Sequence, residues 1–190
     1  MSRAAVKSLL PILLFALAGA AHAAQGESVH PDTGARTWTT AAHGVTFSLT
    51  QILPDQARAF YLNRGFGVKA TEVYATACVF MTILRNDAAP GVLHYELDDW
   101  GVMHEAGERP PLSFDYWNER LAAFDLSDPA LLAFRWAQFP PSQSYQPGGD
   151  WNQGMLTSGL ASGERFDIVA RWRVGGRDYE ATLEGVTRAS

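Results

Sequence analysis

The side chains with the most specific chemistry in this chain are those that can bind a soft metal ion. They are one cysteine, two methionines and two histidines in the middle of the sequence: Cys78, Met81, His94, Met103 and His104. Thiolate, thioether and imidazole ligands favour copper, and Cu(I) in particular, over the hard cations. We therefore expect that, if a metal binds, it is copper held by some of these five residues.

The spacing of these residues leaves a second interpretation open. Cys78 and Met81 point to opposite faces on a strand and share one face on a helix. Both also suit a hydrophobic core, because a free cysteine behaves as a small apolar residue. Met103 and His104 are adjacent and follow Gly101, and a loop at that point would let their side chains converge.

Acidic residues offer a different chemistry. Glu96, Asp98, Asp99 and Asp115 could supply the general acid and general base of a hydrolase if one carboxyl stayed protonated and another ionised. The same residues also fit a solvated acidic edge, and the sequence contains no G-x-S-x-G, P-loop or H-E-x-x-H motif. We expect a binding or accessory role, with a small exported carboxylate-dependent hydrolase as the alternative.

Residues 142–155 form a polar, glycine- and proline-containing stretch that carries apolar side chains at Tyr145, Trp151 and Met155. Loops that display aromatic residues are frequent recognition sites. We expect this stretch to be a loop that meets another exported protein or a small ligand, including a carbohydrate or a peptide. In the alternative interpretation, the aromatic rings fold back and cover a sheet.

The N-terminal sequence predicts export. Residues 1–23 combine Arg3 and Lys7, an apolar segment and the small-residue motif Ala21-His22-Ala23, which is typical of a cleaved signal peptide. No later segment has the roughly 18 consecutive apolar residues of a membrane span. We expect a periplasmic or secreted protein with a flexible arm over residues 24–43 and a single domain over residues 44–190.

Charge and cysteine content narrow the possible partners. The chain has 15 basic and 20 acidic residues, a net charge of −5, and no basic stripe, so nucleic acid is an unsuitable partner. The single cysteine excludes an intrachain disulfide. A lone thiol in an exported protein is expected to be buried.

The strand pattern is clearest in three places. Residues 45–50 and 92–98 alternate between apolar and polar side chains, which is typical of strands with one wet face. Residues 75–86 are a longer apolar run that favours a buried strand, although a helix over residues 71–77 leading into it would also fit. Because Pro90 and Gly91 form a turn signal, we expect the strand over residues 75–86 and the strand over residues 92–98 to pair as a hairpin.

The remaining elements complete the predicted fold. Pro54 and Ser113 open short helices over residues 54–63 and 113–124. Alternation over residues 132–136 favours a strand, and Gly175-Gly176 predicts a tight hairpin between residues 165–174 and 177–186. We expect a mainly β protein, an antiparallel, immunoglobulin-like β-sandwich with one or two inserted helices.

Overall fold

The computed structural model describes residues 25–161 and 163–188. The predicted signal peptide lies outside the described residues. The fold is mainly β, with two antiparallel sheets and four helices, which confirms the expected class, and a sandwich arrangement fits. The immunoglobulin-like connectivity stays a prediction.

Sheet A has five strands in the order β1-β2-β3-β4-β9. Their bounds are β1 Gly26–Val29, β2 Arg36–Ala42, β3 Val45–Gln51, β4 Val79–Asn86 and β9 Asp150–Thr157. The first two strands replace the flexible arm that we expected over residues 24–43. Trp38 on β2 is buried, because its side chain packs into the core between the sheets.

Sheet B is built around a long central strand. The six strands are β5 Leu93–Glu96, β6 Gly101–His104, β7 Gly107–Arg109, β8 Ser142–Tyr145, β10 Arg165–Val174 and β11 Arg177–Thr187. Strand β10 pairs with β11 along one edge, and with β5 and β6 along the other. The predicted hairpin at Gly175-Gly176 is confirmed, since both glycines have the positive φ that its turn requires.

The four helices are α1 Pro54–Leu62, α2 Val68–Ala75, α3 Phe114–Leu121 and α4 Asp128–Ala137. Two of them match the predicted helices, and the Ser113 side chain caps α3 by accepting a hydrogen bond of 3.1 Å from the Tyr116 backbone N–H. No helix in the described part of the chain is long and apolar enough to cross a membrane.

Two hydrophobic cores separate three layers. Phe80 and Leu84 of β4 pack between the sheets, whereas Val79 of β4 and Met155 of β9 pack against the helices. The helices therefore cover one face of sheet A, and sheet B covers the other. The outer face of sheet B remains open to solvent.

The expected strand over residues 132–136 was wrong, because these residues belong to helix α4. Ala130 and Phe134 are its buried residues, and their spacing of four follows the helical period. Leu132 and Trp136, which the alternating pattern would also have buried, are exposed. Pro129 in the first turn suits a helix start.

The expected hairpin across Pro90-Gly91 was also wrong. Strand β4 pairs with β3 and β9 in sheet A, while β5 pairs with β10 and β8 in sheet B. The chain between them crosses from one sheet to the other. The buried side chain of Asn86 holds this crossing by donating to the carbonyls of Gly91 and Tyr145, both at 3.0 Å, and by accepting from the Ala89 N–H.

The apolar run over residues 75–86 divides into two elements. Helix α2 continues through Ala75, and β4 begins only at Val79. Cys78 joins them with a φ of 61°, a left-handed conformation that is uncommon for a residue other than glycine. The change of direction at Cys78 explains why a single strand over the whole run does not form.

We expect Phe80→Ala to lower the free energy of unfolding by about 3–5 kcal/mol, because Phe80 is 1% exposed and truncation leaves a cavity between the sheets. Urea denaturation measures this change. Val92→Ala is the matched control, since Val92 is 43% exposed and should cost no more than about 0.5 kcal/mol. A similar loss in both variants would contradict the position of Phe80 in the core.

Candidate functional site

The candidate site lies on the outer face of sheet B. Along β10, Ala170, Trp172 and Val174 belong to the core between the sheets. Arg171 and Arg173 alternate with them and therefore point to the opposite face. The register places Arg171 beside Glu180 and Arg173 beside Asp178 of β11.

A cleft of about 770 Å³ occupies this face. Strand β5 contributes His94 and Glu96, and the short turn that follows it contributes Asp99. Strands β10 and β11 contribute the two arginine and carboxylate pairs. Three strands therefore form most of the site, of which β5 is distant from the other two in sequence but adjacent to β10 in the sheet.

Ion pairs hold the arginine side chains in place. The Arg171 guanidinium lies 2.7 Å from the Glu108 carboxylate of β7 and 3.3 Å from that of Glu180. Arg173 lies 3.0 Å from Asp178 and 3.5 Å from Asp99. Each guanidinium thus bridges two carboxylates, which restricts the rotamers of the whole set.

Hydrogen bonds hold the side chains that β5 contributes to the cleft. His94 Nδ1 lies 2.9 Å from Ser144 Oγ, and His94 Nε2 lies 2.9 Å from Glu96 Oε1. Ser142 Oγ donates to the same Glu96 oxygen. The bond from Ser142, followed by that with His94, lowers the pKa of Glu96 below its ordinary value, so this carboxylate is ionised at neutral pH.

The turn between β2 and β3 closes one end of the cleft. His43 and Gly44 both have positive φ, as the tight turn of a two-residue hairpin requires. The turn brings the His43 ring to 4.9 Å from the ring of Tyr179, and both residues line the cleft.

The carboxylates predicted for a hydrolase do not gather at one place. Glu96 lines the cleft, whereas Asp98 is not among its lining residues and Asp115 is exposed on α3 in the helical layer. Of the other predicted acids, Asp99 also lines the cleft. The side chains of Glu96 and Asp99 are 48% and 52% exposed, so neither carboxylate lies in apolar surroundings.

The five predicted copper ligands are divided between the two sheets. Cys78 and Met81 lie at β4 of sheet A, and the other three lie on β5 and β6 of sheet B. Both ring nitrogens of His94 already have partners. No three histidine, cysteine or acidic side chains form a metal-binding group within the described residues.

The loop expected at Met103 and His104 was wrong, because both residues lie on strand β6, where adjacent side chains point to opposite faces. Met103 is 43% exposed, and His104 Nε2 lies 3.8 Å from Glu164. Copper binding stays a prediction.

If Met103 and His104 bind Cu(I), the double variant Met103→Leu, His104→Ala should bind Cu(I) at least about tenfold more weakly in a competition with a chelator. Unchanged affinity would remove this pair from consideration.

The stretch predicted to be a recognition loop consists mainly of strands β8 and β9. Tyr145 is 2% exposed and Met155 is 4% exposed, and the Met155 sulfur accepts a hydrogen bond of 3.2 Å from the Tyr61 hydroxyl. Trp151 alone of the three predicted binding residues is well exposed, at 49%. These three side chains therefore do not share one accessible surface.

Most of the residues that form the cleft were not predicted from the sequence. The sequence of the β10–β11 hairpin nevertheless contains a pattern that indicates the charged face. Arg171 and Arg173 occupy alternate positions on one strand, and Asp178 and Glu180 occupy alternate positions on the other. Opposite charges at alternating positions on both arms of a hairpin predict a ladder of ion pairs on one face. His43 carried no comparable signal, because only the folding of sheet A onto sheet B brings it to Tyr179.

No protein-family model, curated protein or solved structure matches this chain. A function for the chain is therefore inferred from the geometry and the charges of the cleft.

The buried thiol of Cys78 should make the stability of the fold depend on pH. Burial raises the pKa of its thiol to about 11, against the smaller opposing effect of a hydrogen bond with Ser158. The thiol is neutral in the folded and unfolded chains below about pH 9, and between pH 9 and 11 only the unfolded chain ionises readily. Stability should therefore fall as the pH rises through this window.

The expected contribution of Cys78 to this fall is up to about 2–3 kcal/mol, from the free energy equivalent of a pKa difference. Urea unfolding at pH 8 and at pH 11 measures it. Cys78→Ala is the reference, because it keeps the β-carbon and removes the titrating group. Equal pH dependence in the two proteins would show that the thiol does not contribute.

Proposed function

We propose that this chain is a binding protein that holds a small organic cation, bearing an ammonium or guanidinium group, in the cleft on the outer face of sheet B. The observation that supports this most directly is the balance of charge in the cleft. Four carboxylates line it, from Glu96, Asp99, Asp178 and Glu180, against the two guanidinium groups of Arg171 and Arg173.

Several carboxylate oxygens in the cleft are free to accept hydrogen bonds from a ligand. Both arginines direct donors to carboxylates of the protein. Glu96 Oε2, Asp178 Oδ2 and Glu180 Oε1 accept no hydrogen bond from another described residue. A ligand that brings several N–H donors and a positive charge complements these oxygens, whereas an anionic ligand would meet repulsion.

The size and order of the cleft also support binding. Its volume of about 770 Å³ is within the range of small-molecule sites, about 300–1,000 Å³. The ion pairs hold the side chains before a ligand arrives, which reduces the entropy lost on binding.

The environment of Glu96 favours binding over a hydrolase that would use this residue as its general acid. Glu96 has a lowered pKa and is half exposed, so it carries no proton to donate at neutral pH. Since the N-terminal pattern predicts export, we place this binding role in the periplasm or outside the cell.

Titration of the protein with agmatine, which carries one guanidinium and one ammonium group, tests the proposal by NMR. We expect the backbone amide signals of β5, β10 and β11 to shift, and the affinity to fall as salt is added. The double variant Asp178→Asn, Glu180→Gln should weaken binding about tenfold, because it removes two negative charges and leaves both arginines less neutralised.

Glu119→Gln is the matched control, since Glu119 is an exposed acid of α3, outside the cleft, and should leave the affinity unchanged. Glucose and citrate serve as the neutral and anionic comparison ligands. Shifts in sheet B caused by either of these but not by agmatine would contradict the proposed ligand class. Binding of agmatine that persists in the double variant would contradict the site.

A further inference from the structure

Helix α4 has an apolar side that nothing in the described chain covers. Its residues Ala130 and Phe134 face the core of the helical layer. Leu132 and Trp136, one turn apart, are 56% and 80% exposed. An exposed pair of this size on one helix face is a common mark of a protein interface.

A shallow groove of about 540 Å³ runs beside this pair. Phe114 of α3 and Pro129 and Leu131 of α4 supply its apolar surface, and Asp128 and Arg135 also line it. The molecule thus presents an apolar projection, Trp136, and an apolar groove on the same helix. A surface with both features can be complementary to a copy of itself.

The charges on this surface indicate which partner fits. Asp128, Leu132 and Arg135 follow one another at intervals of four and three residues, so they share one helix face. Neither Asp128 nor Arg135 forms an ion pair with any described residue. The Arg135 guanidinium lies 5.9 Å from the centre of the Phe114 ring. The face therefore carries a negative charge near its start and a positive charge near its end, neither with an ion-pair partner among the described residues, and an exposed leucine between them.

We propose that α4 forms a homodimer by packing antiparallel against α4 of a second copy of this chain. A two-fold axis near Leu132 brings Asp128 of each copy opposite Arg135 of the other, because a two-fold interface reverses the order of residues along the helix. The same operation carries each Trp136 toward the groove of its partner. Both unpaired charges and both exposed apolar residues are then accounted for by one symmetric contact.

The dimer is expected to be weak. A ten-residue helix is about 15 Å long, and one such pair is at the low end of the size of specific interfaces. Association should therefore depend on concentration over the micromolar range. The contact lies on the helical side of the molecule and does not depend on a ligand in the sheet B cleft.

Sedimentation equilibrium of the full chain, from about 1 to 500 µM, tests the proposal. We expect a reversible monomer–dimer equilibrium that Trp136→Ala weakens at least about tenfold. Trp151→Ala is the matched control, since Trp151 is also an exposed tryptophan, at 49%, but lies on β9, and it should leave the equilibrium unchanged. A protein that stays monomeric throughout this range overturns the proposal, and so does a dimer insensitive to Trp136→Ala.

A charge exchange distinguishes antiparallel pairing from any other contact through this helix. Asp128→Arg and Arg135→Asp should each weaken the dimer about tenfold, because each places like charges opposite one another. The double variant Asp128→Arg, Arg135→Asp should restore at least part of the lost affinity. Circular dichroism confirms that the variants keep their helices, and a folded double variant that dimerises no better than the single variants overturns the proposed arrangement.

Discussion

The rest of the structure depends on strand β4, which is buried between the sheets on one face and is covered by the helices at its start on the other. Phe80 and Leu84 pack between the two sheets, while Val79, at the start of the strand, packs against the helices. A strand in this position needs neighbours on both edges and a layer above and below, which β3, β9, sheet B and the helices provide. Asn86 ends the strand inside the protein. Its buried side-chain amide has hydrogen-bond partners there because the segment that crosses to sheet B supplies the Ala89 N–H and the Gly91 carbonyl, and β8 supplies the carbonyl of Tyr145.

This arrangement separates two kinds of surface. The inner faces of the sheets and helices take up most of the large apolar side chains, so the outer face of sheet B can carry the ladder of ion pairs around Arg171 and Arg173. The helical layer lies on the other side of sheet A, and there α4 leaves Leu132 and Trp136 uncovered. The charged cleft and the apolar helix face are thus on opposite outer layers. Two different binding roles can therefore be assigned without competition for the same surface.

Each wrong prediction from sequence rested on a local pattern that fits more than one structure. Apolar residues at every second position over residues 132–136 fit a strand, but the helical spacing of Ala130 and Phe134 determined which side was buried. Pro90 and Gly91 signal a change of direction equally well for a hairpin and for a crossing between sheets. The polar stretch over residues 142–155 contains turn residues, yet β8 and β9 form there because β5 and β4 offer them free edges.

Local chemistry by itself determined the hairpin at Gly175-Gly176, the helices that begin at Pro54 and at the Ser113 cap, and the mainly β, antiparallel class. In each case the deciding residues are within one turn or one alternating strand of each other. The tertiary structure alone decided which sheet each strand joins and that β10 lies between β5 and β11. Because of this strand order, His94 and Glu96 of β5 line the same cleft as Arg173 of β10 and Asp178 of β11. Strand pairing between distant segments is selected by the burial of both cores together, and the pattern of a single segment does not contain that information.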